Sequence, residues 1–86
     1  MALKLRVITI KGVVYENEVR KVKIRRPDGL MIINKNYSSV LEQLADGEIV
    51  IYESDDKKVS LELEGGWLTV TRNRCNIYGN VIEPDK

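Results

Sequence analysis

The chain has 86 residues, 43% of them hydrophobic and 31% charged, which predicts a single soluble globular domain. Its formal net charge of +1 argues against strong generic binding to nucleic acid or acidic membranes, because such binding normally shows a basic excess. There is no histidine and one cysteine, Cys75, so the chain lacks the commonest general base, and an internal disulfide is excluded.

The first ten residues predict a half-buried strand. Apolar Leu3, Leu5 and Val7 alternate with basic side chains, and a period of two places them on one face of a strand that ends near Ile10. Lys11-Gly12 is then expected to form a turn. No apolar run approaches 18 residues and no signal-peptide pattern is present, so we expect a chain that neither enters nor spans a membrane by itself, in a reducing compartment.

The pattern over residues 12–29 predicts one long strand, or a strand with a bend, that ends in a turn. Within it, Val22 and Ile24 are expected to face the core. The alternate positions place three cations on one outer face: Lys21, Lys23 and Arg25. Pro27-Asp28-Gly29 supplies turn chemistry, because Pro presets φ, Asp caps the turn and Gly tolerates a positive φ. The stretch therefore combines a buried anchor, a charged face and an exposed tip.

The middle of the chain is harder to assign. Residues 30–33 form a short apolar run, which predicts a strand buried on both faces. For residues 37–47, a capping-box pattern at Ser39 and Glu42, with Gly47 as a C′ residue, fits a helix of one or two turns. An irregular or extended crossing loop is the competing interpretation, and spacing alone does not choose between them.

The second half of the chain carries a plain β pattern. Residues 48–53 contain four consecutive apolar side chains, from Ile49 to Tyr52, so this strand is apolar on both faces, and residues 54–57 are typical of a hairpin connection. Residues 59–64 alternate apolar and polar side chains, which predicts a one-sided strand. Gly65-Gly66 then predicts a bulge or a sharp bend.

The last quarter completes the predicted fold. Residues 67–71 resume the strand, and residues 72–74 predict a tight turn. Residues 75–78 give the last convincing strand, and residues 79–86 are expected to be a tail with at most one more short pairing. Short strands at this spacing predict a single all-β domain over residues 1–86, an antiparallel β-sandwich or flattened barrel of about eight to ten short strands.

No motif indicates catalysis. Neither metal-ligand spacing nor a phosphate-binding loop is present, so we expect no catalytic residue, cofactor or metal. Glu62 and Glu64 lie two apart on one strand, where paired carboxylates are usually a solvated face rather than an acid–base pair.

Cys75 is predicted to be a small core residue. Trp67 is predicted to lie in the core rather than to act as a binding anchor. Truncating a core tryptophan to alanine would lower the free energy of unfolding by roughly 3–5 kcal/mol.

The basic face of Lys21, Lys23 and Arg25 leaves two interpretations open. Binding to single-stranded nucleic acid would need aromatic side chains interleaved with the cations, and no tyrosine falls inside the basic run. Arg72 and Arg74 are further candidates for such a surface. The alternative is a solvated strand face whose cations pair with acidic residues on neighbouring strands.

Several segments, taken in order, resemble a known family. They are residues 3–9 (Leu-Lys-Leu-Arg-Val-Ile-Thr), residues 12–19 (Gly-Val-Val-Tyr-Glu-Asn-Glu-Val), Asp28-Gly29, Gly47-Glu48 and residues 65–70 (Gly-Gly-Trp-Leu-Thr-Val). The pattern resembles the N-terminal β-sandwich of the epsilon subunit of F-type ATP synthases over nearly the whole chain. The Gly-Val-Val-Tyr-Glu and Gly-Gly-aromatic-Leu-x-Val pieces are fairly specific when they occur together at this separation.

The resemblance implies a mechanical role without catalysis. Members of the family sit at the foot of the rotating central stalk, hold the gamma subunit and rest against the polar loops of the c ring, so they help to transmit torque. This implies a peripheral location at the cytoplasmic face of the inner or plasma membrane, through the complex, with no direct nucleic-acid partner. Many members add a C-terminal helical hairpin that restrains ATP hydrolysis and in some cases binds ATP. Because that hairpin would begin where the chain ends, at Lys86, we expect a domain that assembles without the inhibitory part.

The resemblance also implies two contact sets by position. One set corresponds to the side facing the c ring: Asp28, Gly29 and Leu30. The other corresponds to the side facing gamma: Tyr37, Ser38, Ser39 and Val40. If Leu30 is exposed at the tip, it would form a small apolar knob with a charged rim, and protein interfaces have the same composition, an apolar centre and a polar edge. If Leu30 instead folds inward, it would join the core with its neighbours.

The segment over residues 30–40 departs from the family pattern. The family usually has an acidic residue after the turn glycine, followed by Gly-Ile-Leu-Pro-Gly-His-Ala-Pro-Leu. Here the acid is replaced by Leu30, the Pro-Gly by Lys35-Asn36, the His by Tyr37 and the second Pro by Ser39. Matching changes in a divergent partner, or loss of the ancestral role, would explain these differences.

The sequence therefore indicates two candidate functions. The first is a non-catalytic epsilon-type subunit of the central stalk of a proton- or sodium-translocating F-type ATP synthase, which binds gamma and docks on the c ring. The second is a free-standing small β-barrel that binds single-stranded nucleic acid through the basic face. Salt separates them, because binding by exposed cations weakens steeply with salt, whereas an apolar protein interface is much less sensitive.

Overall fold

The computed structural model describes residues 3–34 and 39–82, and all regular structure in these ranges is β-strand. The strands are β1 (Leu3–Thr9), β2 (Gly12–Val19), β3 (Lys21–Arg26), β4 (Gly29–Asn34), β5 (Val40–Leu44), β6 (Gly47–Tyr52), β7 (Lys58–Thr71) and β8 (Arg74–Ile82). The predicted all-β class and sandwich architecture are confirmed. Within the described residues, no helix is long and apolar enough to cross a bilayer.

Hydrogen bonds join the eight strands in one sheet that folds over on itself. Its order is β2-β1-β8-β7-β6-β3-β4, with β5 paired separately to β7. The 14-residue β7 belongs to both halves, because its first part pairs with β6 and its second part pairs with β5 and most of β8. We call β4, β3, β6 and the start of β7 the first layer. The second layer contains β5, the end of β7, β8, β1 and β2.

The core lies between the two layers and takes side chains from every strand. Its buried residues are Leu3, Leu5, Val7, Val19, Val22, Ile24, Ile33, Leu44, Ile49, Ile51, Leu63, Leu68, Val70, Cys75 and Ile77. No described polar or charged residue is buried among them. The prediction that Val22 and Ile24 face the core is confirmed, and so is the burial of Cys75. Arg20 alone separates β2 from β3, so the stretch over residues 12–29 is a strand with a bend.

One strand pair differs from the antiparallel arrangement predicted from the sequence. β1 and β8 run parallel, with Leu5 opposite Cys75 and Val7 opposite Ile77, so the sheet is mixed. A period-two pattern is the same for parallel and antiparallel neighbours, and the two strands are far apart in the chain. The sequence therefore could not reveal the direction of this pairing.

The ambiguous middle segment is extended rather than helical. Val40–Leu44 forms β5 and pairs antiparallel with residues 66–70 of β7. The Ala45 amide then donates to the Arg25 carbonyl at 2.8 Å, which ties the end of β5 to β3. These tertiary hydrogen bonds outweigh the local capping-box signal, since most secondary-structure stability comes from packing and pairing. Residues 35–38 lie outside the described residues.

The glycine pair in β7 forms the predicted bulge. The register between β7 and β8 shifts between Glu64 and Trp67, and both Gly65 and Gly66 have positive φ. A Cβ at Gly66 would overlap the Tyr78 carbonyl oxygen, so only glycine allows the two strands to approach here. Beyond the predicted end at Tyr78, β8 continues to Ile82 and pairs with residues 62–64 of β7.

Two predictions of burial are wrong. In β4, Ile33 is fully buried, but Leu30 and Ile32 face solvent, because only one side of the first layer is covered by the second. Trp67 was expected in the core and is instead 49% exposed. Both errors assign large apolar side chains to the core by residue type, although a substantial part of any protein surface is apolar.

Candidate functional site

A row of large side chains crosses the outer face of the second layer. Register places Trp67 of β7 opposite Tyr78 of β8, and Tyr78 opposite Ile8 of β1. Ile8 in turn lies opposite Val13 of β2, so the row spans four strands. Side chains at directly opposed positions share one face of a sheet, and neighbouring strands lie roughly 4.8 Å apart.

This row is exposed to solvent although it is mainly apolar. Trp67 and Tyr78 are 49% and 41% exposed, and Leu41, in the next row along, is 64% exposed. Polar side chains border them: Gln43 lies opposite Trp67, and Thr69 lies between Leu41 and Asn76. We call the surface of Leu41, Trp67, Tyr78, Ile8 and Val13 the aromatic band. An apolar centre with a polar rim is the composition of a protein-interaction surface.

The glycine bulge is the reason that Trp67 belongs to this surface. Leu63 faces the core, and strict alternation along β7 would turn residues 65 and 67 inward as well. The bulge inserts one extra residue into β7 and shifts the alternation of its side chains by one position. Leu68 is therefore the next core residue, and Trp67 faces outward. The sequence signal for this was the Gly65-Gly66 pair followed by the alternation of Leu68 and Val70.

The β3–β4 hairpin presents the predicted tip. Arg26 pairs with Gly29, leaving Pro27-Asp28 as the connection, and Gly29 has a φ of 135°. Asp28, Gly29 and Leu30 are all exposed, and Leu30 is 53% exposed, so the exposed-knob alternative for Leu30 is confirmed. Arg26 is held against the body of the domain by an ion pair to Glu42 at 3.6 Å. The structure therefore brings the three predicted tip residues together.

The second predicted contact set is only partly described. Ser39 is exposed, and Val40 is half-buried against the core opposite Val70. Tyr37 and Ser38 lie outside the described residues. Leu41, the next residue along the chain, also faces solvent. Sequence reasoning missed Leu41 because the segment could not be assigned to a strand.

The three cations of the basic face are on one surface, as predicted. Lys21, Lys23 and Arg25 alternate with the buried side chains of β3 and point away from the core. The Lys21 ammonium lies 4.8 Å from the centre of the Tyr52 ring, and the Lys58 ammonium lies 5.6 Å from it. Arg74 does not join this surface, because its strand β8 is separated from β3 by β7 and β6 in the sheet.

Tyr15 and Glu53 join the edge strand β2 to the end of β6. The Tyr15 hydroxyl donates a hydrogen bond to the Glu53 carboxylate, and the Lys57 ammonium lies 3.4 Å from the same carboxylate group. Partial burial, together with this hydrogen bond, raises the pKa of Tyr15 to about 12. The hydrogen bond from Tyr15 lowers the pKa of Glu53. This arrangement fastens two strands together and offers no group poised for acid–base chemistry.

The remaining candidates for chemistry are a buried thiol and two exposed carboxylates. Burial raises the pKa of the Cys75 thiol to about 12, which removes its nucleophilic thiolate form near neutral pH. Glu62 and Glu64 are both exposed, and Glu62 lies opposite Glu48 on a solvated face. Among the described residues, no group of His, Cys, Asp and Glu side chains could hold a metal ion.

Comparison with known proteins identifies a family and several relatives. Residues 2–85 match the family described as "ATP synthase, Delta/Epsilon chain, beta-sandwich domain". An ATP synthase epsilon chain of Hydrogenobaculum sp. is 42% identical over 82 residues, which cover 95% of this chain and 59% of that protein. An ATP synthase epsilon chain of Chlorobium limicola is 32% identical over 74 residues, which cover 86% of this chain and 84% of that protein.

Solved structures share the fold at lower sequence identity. A chain of the mitochondrial ATP synthase of Euglena gracilis, in a cryo-EM structure of OSCP, F1 and c-ring, matches with a TM-score of 0.85 and 19% identity over 94% of this chain and 52% of that one. A chain in the central stalk and c-ring structure of the Tetrahymena thermophila enzyme matches with a TM-score of 0.75 and 18% identity, over 96% of this chain and 65% of that one.

Proposed function

Because the chain belongs to the ATP synthase delta/epsilon-chain β-sandwich family, we propose that it is a non-catalytic, epsilon-type subunit of the central stalk of an F-type ATP synthase. It would help to couple rotation to proton or sodium translocation by binding the gamma subunit and docking on the c ring. Its place would be peripheral, at the cytoplasmic face of the inner or plasma membrane, held there through the complex.

The aromatic band is the observation that carries the gamma contact. A stable interface needs a desolvated centre, and tryptophan and tyrosine are the residues most often found at such centres. Trp67 and Tyr78 lie side by side on the outer face, and Leu41 extends the same surface toward β5. Leu41 directly follows the predicted gamma-side positions Ser39 and Val40, so the band adjoins that set. The proposed contact is therefore centred on β5, β7 and β8.

The hairpin tip is the proposed contact with the c ring. Asp28, Gly29 and Leu30 project together at the end of β3 and β4. A half-exposed leucine beside a carboxylate suits the polar loops of a ring, because the apolar side chain gives contact area and Asp28 supplies a hydrogen-bond acceptor. The ion pair between Arg26 and Glu42 braces the base of the tip against β5, so a load on the tip would pass into the sandwich.

Titration calorimetry against the gamma subunit from the same genome, at two salt concentrations, tests this function. We expect saturable binding that changes little between low and moderate salt, because the centre of the interface is apolar. The same protein titrated with single-stranded DNA and RNA is the comparison for the nucleic-acid alternative. Binding to nucleic acid that collapses with salt, together with no binding to gamma, would replace the stalk function with that alternative.

A further inference from the structure

On β4 the basic face meets uncharged side chains, and on β6 Glu48 shares the same outer face without forming an ion pair with any of the three cations. Register places Lys23 between Ile32 and Val50, and Lys21 beside Tyr52. Arg25 lies opposite Leu30. No ion pair joins any of the three cations to a carboxylate within the described ranges. Each of these cations therefore has an uncharged side chain opposite it on β4, and none forms a direct ion pair with a described carboxylate.

The small net charge of the chain conceals a strong local charge. Residues 20–34 contain five of the 14 cations and a single carboxylate, Asp28, so this hairpin carries +4 and the rest of the chain carries −3. Two of its cations are used internally, because Arg20 pairs with Asp55 at 3.1 Å and Arg26 pairs with Glu42 at 3.6 Å. The other three form the basic face, which is complementary to an extended anionic surface rather than to a single acidic side chain.

Two exposed aliphatic side chains border these cations on the outermost strand of the first layer. Leu30 and Ile32 project from β4 at 53% and 46% exposure, and β4 is the last strand in the sheet order. Cations interspersed with exposed aliphatic side chains are typical of proteins that lie on anionic membranes. The charges approach lipid headgroups while the apolar chains reach the boundary with the acyl chains.

The same surroundings are unfavourable for nucleic acid. Among the described residues, Tyr52 is the aromatic residue beside these cations, and its ring already has the ammonium groups of Lys21 and Lys58 within 6 Å of its centre, where a stacked base would compete with them. Exposed Leu30 and Ile32 would gain nothing from a phosphate backbone, whose binding is electrostatic. Charge and aliphatic exposure together therefore favour lipid over nucleic acid.

We propose that the outer face of the β3–β4 hairpin binds the surface of anionic phospholipid membranes. Lys21, Lys23 and Arg25 contact headgroup phosphates, and Leu30 and Ile32 reach the headgroup–acyl boundary. This binding needs no other protein, so it does not depend on the proposed role in ATP synthase. If both hold, the lipid contact and the contact of the hairpin tip with the c ring lie on the same side of the domain.

Co-sedimentation with lipid vesicles tests the proposal. The 86-residue chain is mixed with vesicles of phosphatidylcholine alone and with vesicles that also contain the anionic lipid phosphatidylglycerol. We expect binding to the anionic vesicles only. The Lys21→Gln/Lys23→Gln variant should bind about 25-fold more weakly, since each surface cation contributes about fivefold. Ile32→Ser should also weaken binding. This variant keeps the charge of the face, so a loss would show that the aliphatic side chain contacts the membrane and that long-range electrostatic attraction is not the whole of the binding.

The matched control is the variant Lys11→Gln/Arg74→Gln, which removes two exposed cations from the second layer and gives the same net charge. It should keep binding within about twofold, because its cations lie beyond close reach of the bound lipid. Equal binding to neutral and anionic vesicles, or equal losses in the two double variants, would overturn the proposal. So would preferential binding of poly(U) over anionic vesicles. Circular dichroism of each variant establishes that the fold is retained.

Discussion

Trp67 and Tyr78 lie directly opposite each other on β7 and β8, with both side chains turned away from the core. Immediately before Trp67, the strand carries the bulge at Gly65-Gly66, where a Cβ on Gly66 would overlap the backbone of Tyr78. The backbone feature that resets the alternation of β7 is therefore the one that assembles the centre of the aromatic band. Stability and the proposed binding of gamma can be tested separately at this point, because the neighbouring Leu68 is fully buried whereas Trp67 is exposed.

Truncating Trp67 should cost little stability. Since about half of the side chain remains in water, Trp67→Ala is expected to lower the free energy of unfolding by less than about 2 kcal/mol. Leu68→Ala, one residue further along the same strand, should cost about 2–5 kcal/mol because it empties a fully buried position. Urea denaturation of the two variants measures the contrast, and a loss at Trp67 as large as that at Leu68 would contradict the exposed placement.

The bulge should be intolerant of any side chain at Gly66. In Gly66→Ala the new Cβ would overlap the Tyr78 carbonyl oxygen, and φ is 124°, so we expect a loss of more than about 3 kcal/mol. Gly12→Ala is the control, because φ there is 111° but nothing lies within 4 Å of the new Cβ. Its loss should be limited to backbone strain, about 1–2 kcal/mol. Thermal melts compare the two, and equal losses would show that strain alone, not the close approach, constrains Gly66.

The hydrogen bond between Tyr15 and Glu53 predicts a pH dependence on the alkaline side. Folding raises the pKa of Tyr15 from 10.0 to about 12, so the protonated phenol stabilises the folded state below pH 10. That contribution should fade as the pH rises from 10 to about 12. Tyr15→Phe removes the titrating group and should flatten this part of the stability curve. Denaturation at a series of pH values is the measurement, and identical alkaline slopes in the two proteins would contradict the contact.

Cys75 should be protected from thiol reagents for as long as the domain is folded. The side chain is fully buried, and burial raises its pKa to about 12, so neither access nor thiolate is available near neutral pH. Reaction with a chromogenic disulfide reagent at pH 8 should be slow in the native protein and rapid in denaturant. Rapid native labelling would show that β8 opens away from β1 far more readily than its central position in the sheet indicates.

Local patterns predicted the strands well, and long-range relationships poorly. The alternation around Val22 and Ile24, the turn at residues 72–74 and the bulge at Gly65-Gly66 all follow from short-range chemistry, and all are present. Arg72 and Asn73 both adopt positive φ, as a two-residue hairpin turn requires. The parallel pairing of β1 with β8 could not be predicted, because no local feature records which strand lies alongside another.

Candidate surfaces formed by one local segment could be predicted from the sequence, and the surface formed by several strands could not. The tip at Asp28, Gly29 and Leu30 could be located from turn chemistry, and the basic face from a period of two. The aromatic band was missed because its members come from five strands, and only the register of the whole sheet shows them to be neighbours. Trp67 was assigned to the core by residue type, a rule that does not say which face of a strand is covered.

The most direct test of the account compares two matched substitutions in binding to gamma. Trp67→Asp places a charge in the aromatic band, and Ile82→Asp places one at a similarly exposed apolar residue at the far end of β8, opposite Glu62 near the start of β7. By calorimetry with the gamma subunit of the same genome, we expect Trp67→Asp to weaken binding at least about 30-fold, as for a central interface residue. Ile82→Asp should leave binding within about twofold, since it lies outside the interface. Equal affinities for the two variants, with both proteins folded, would contradict the assignment of the aromatic band as the gamma-binding surface.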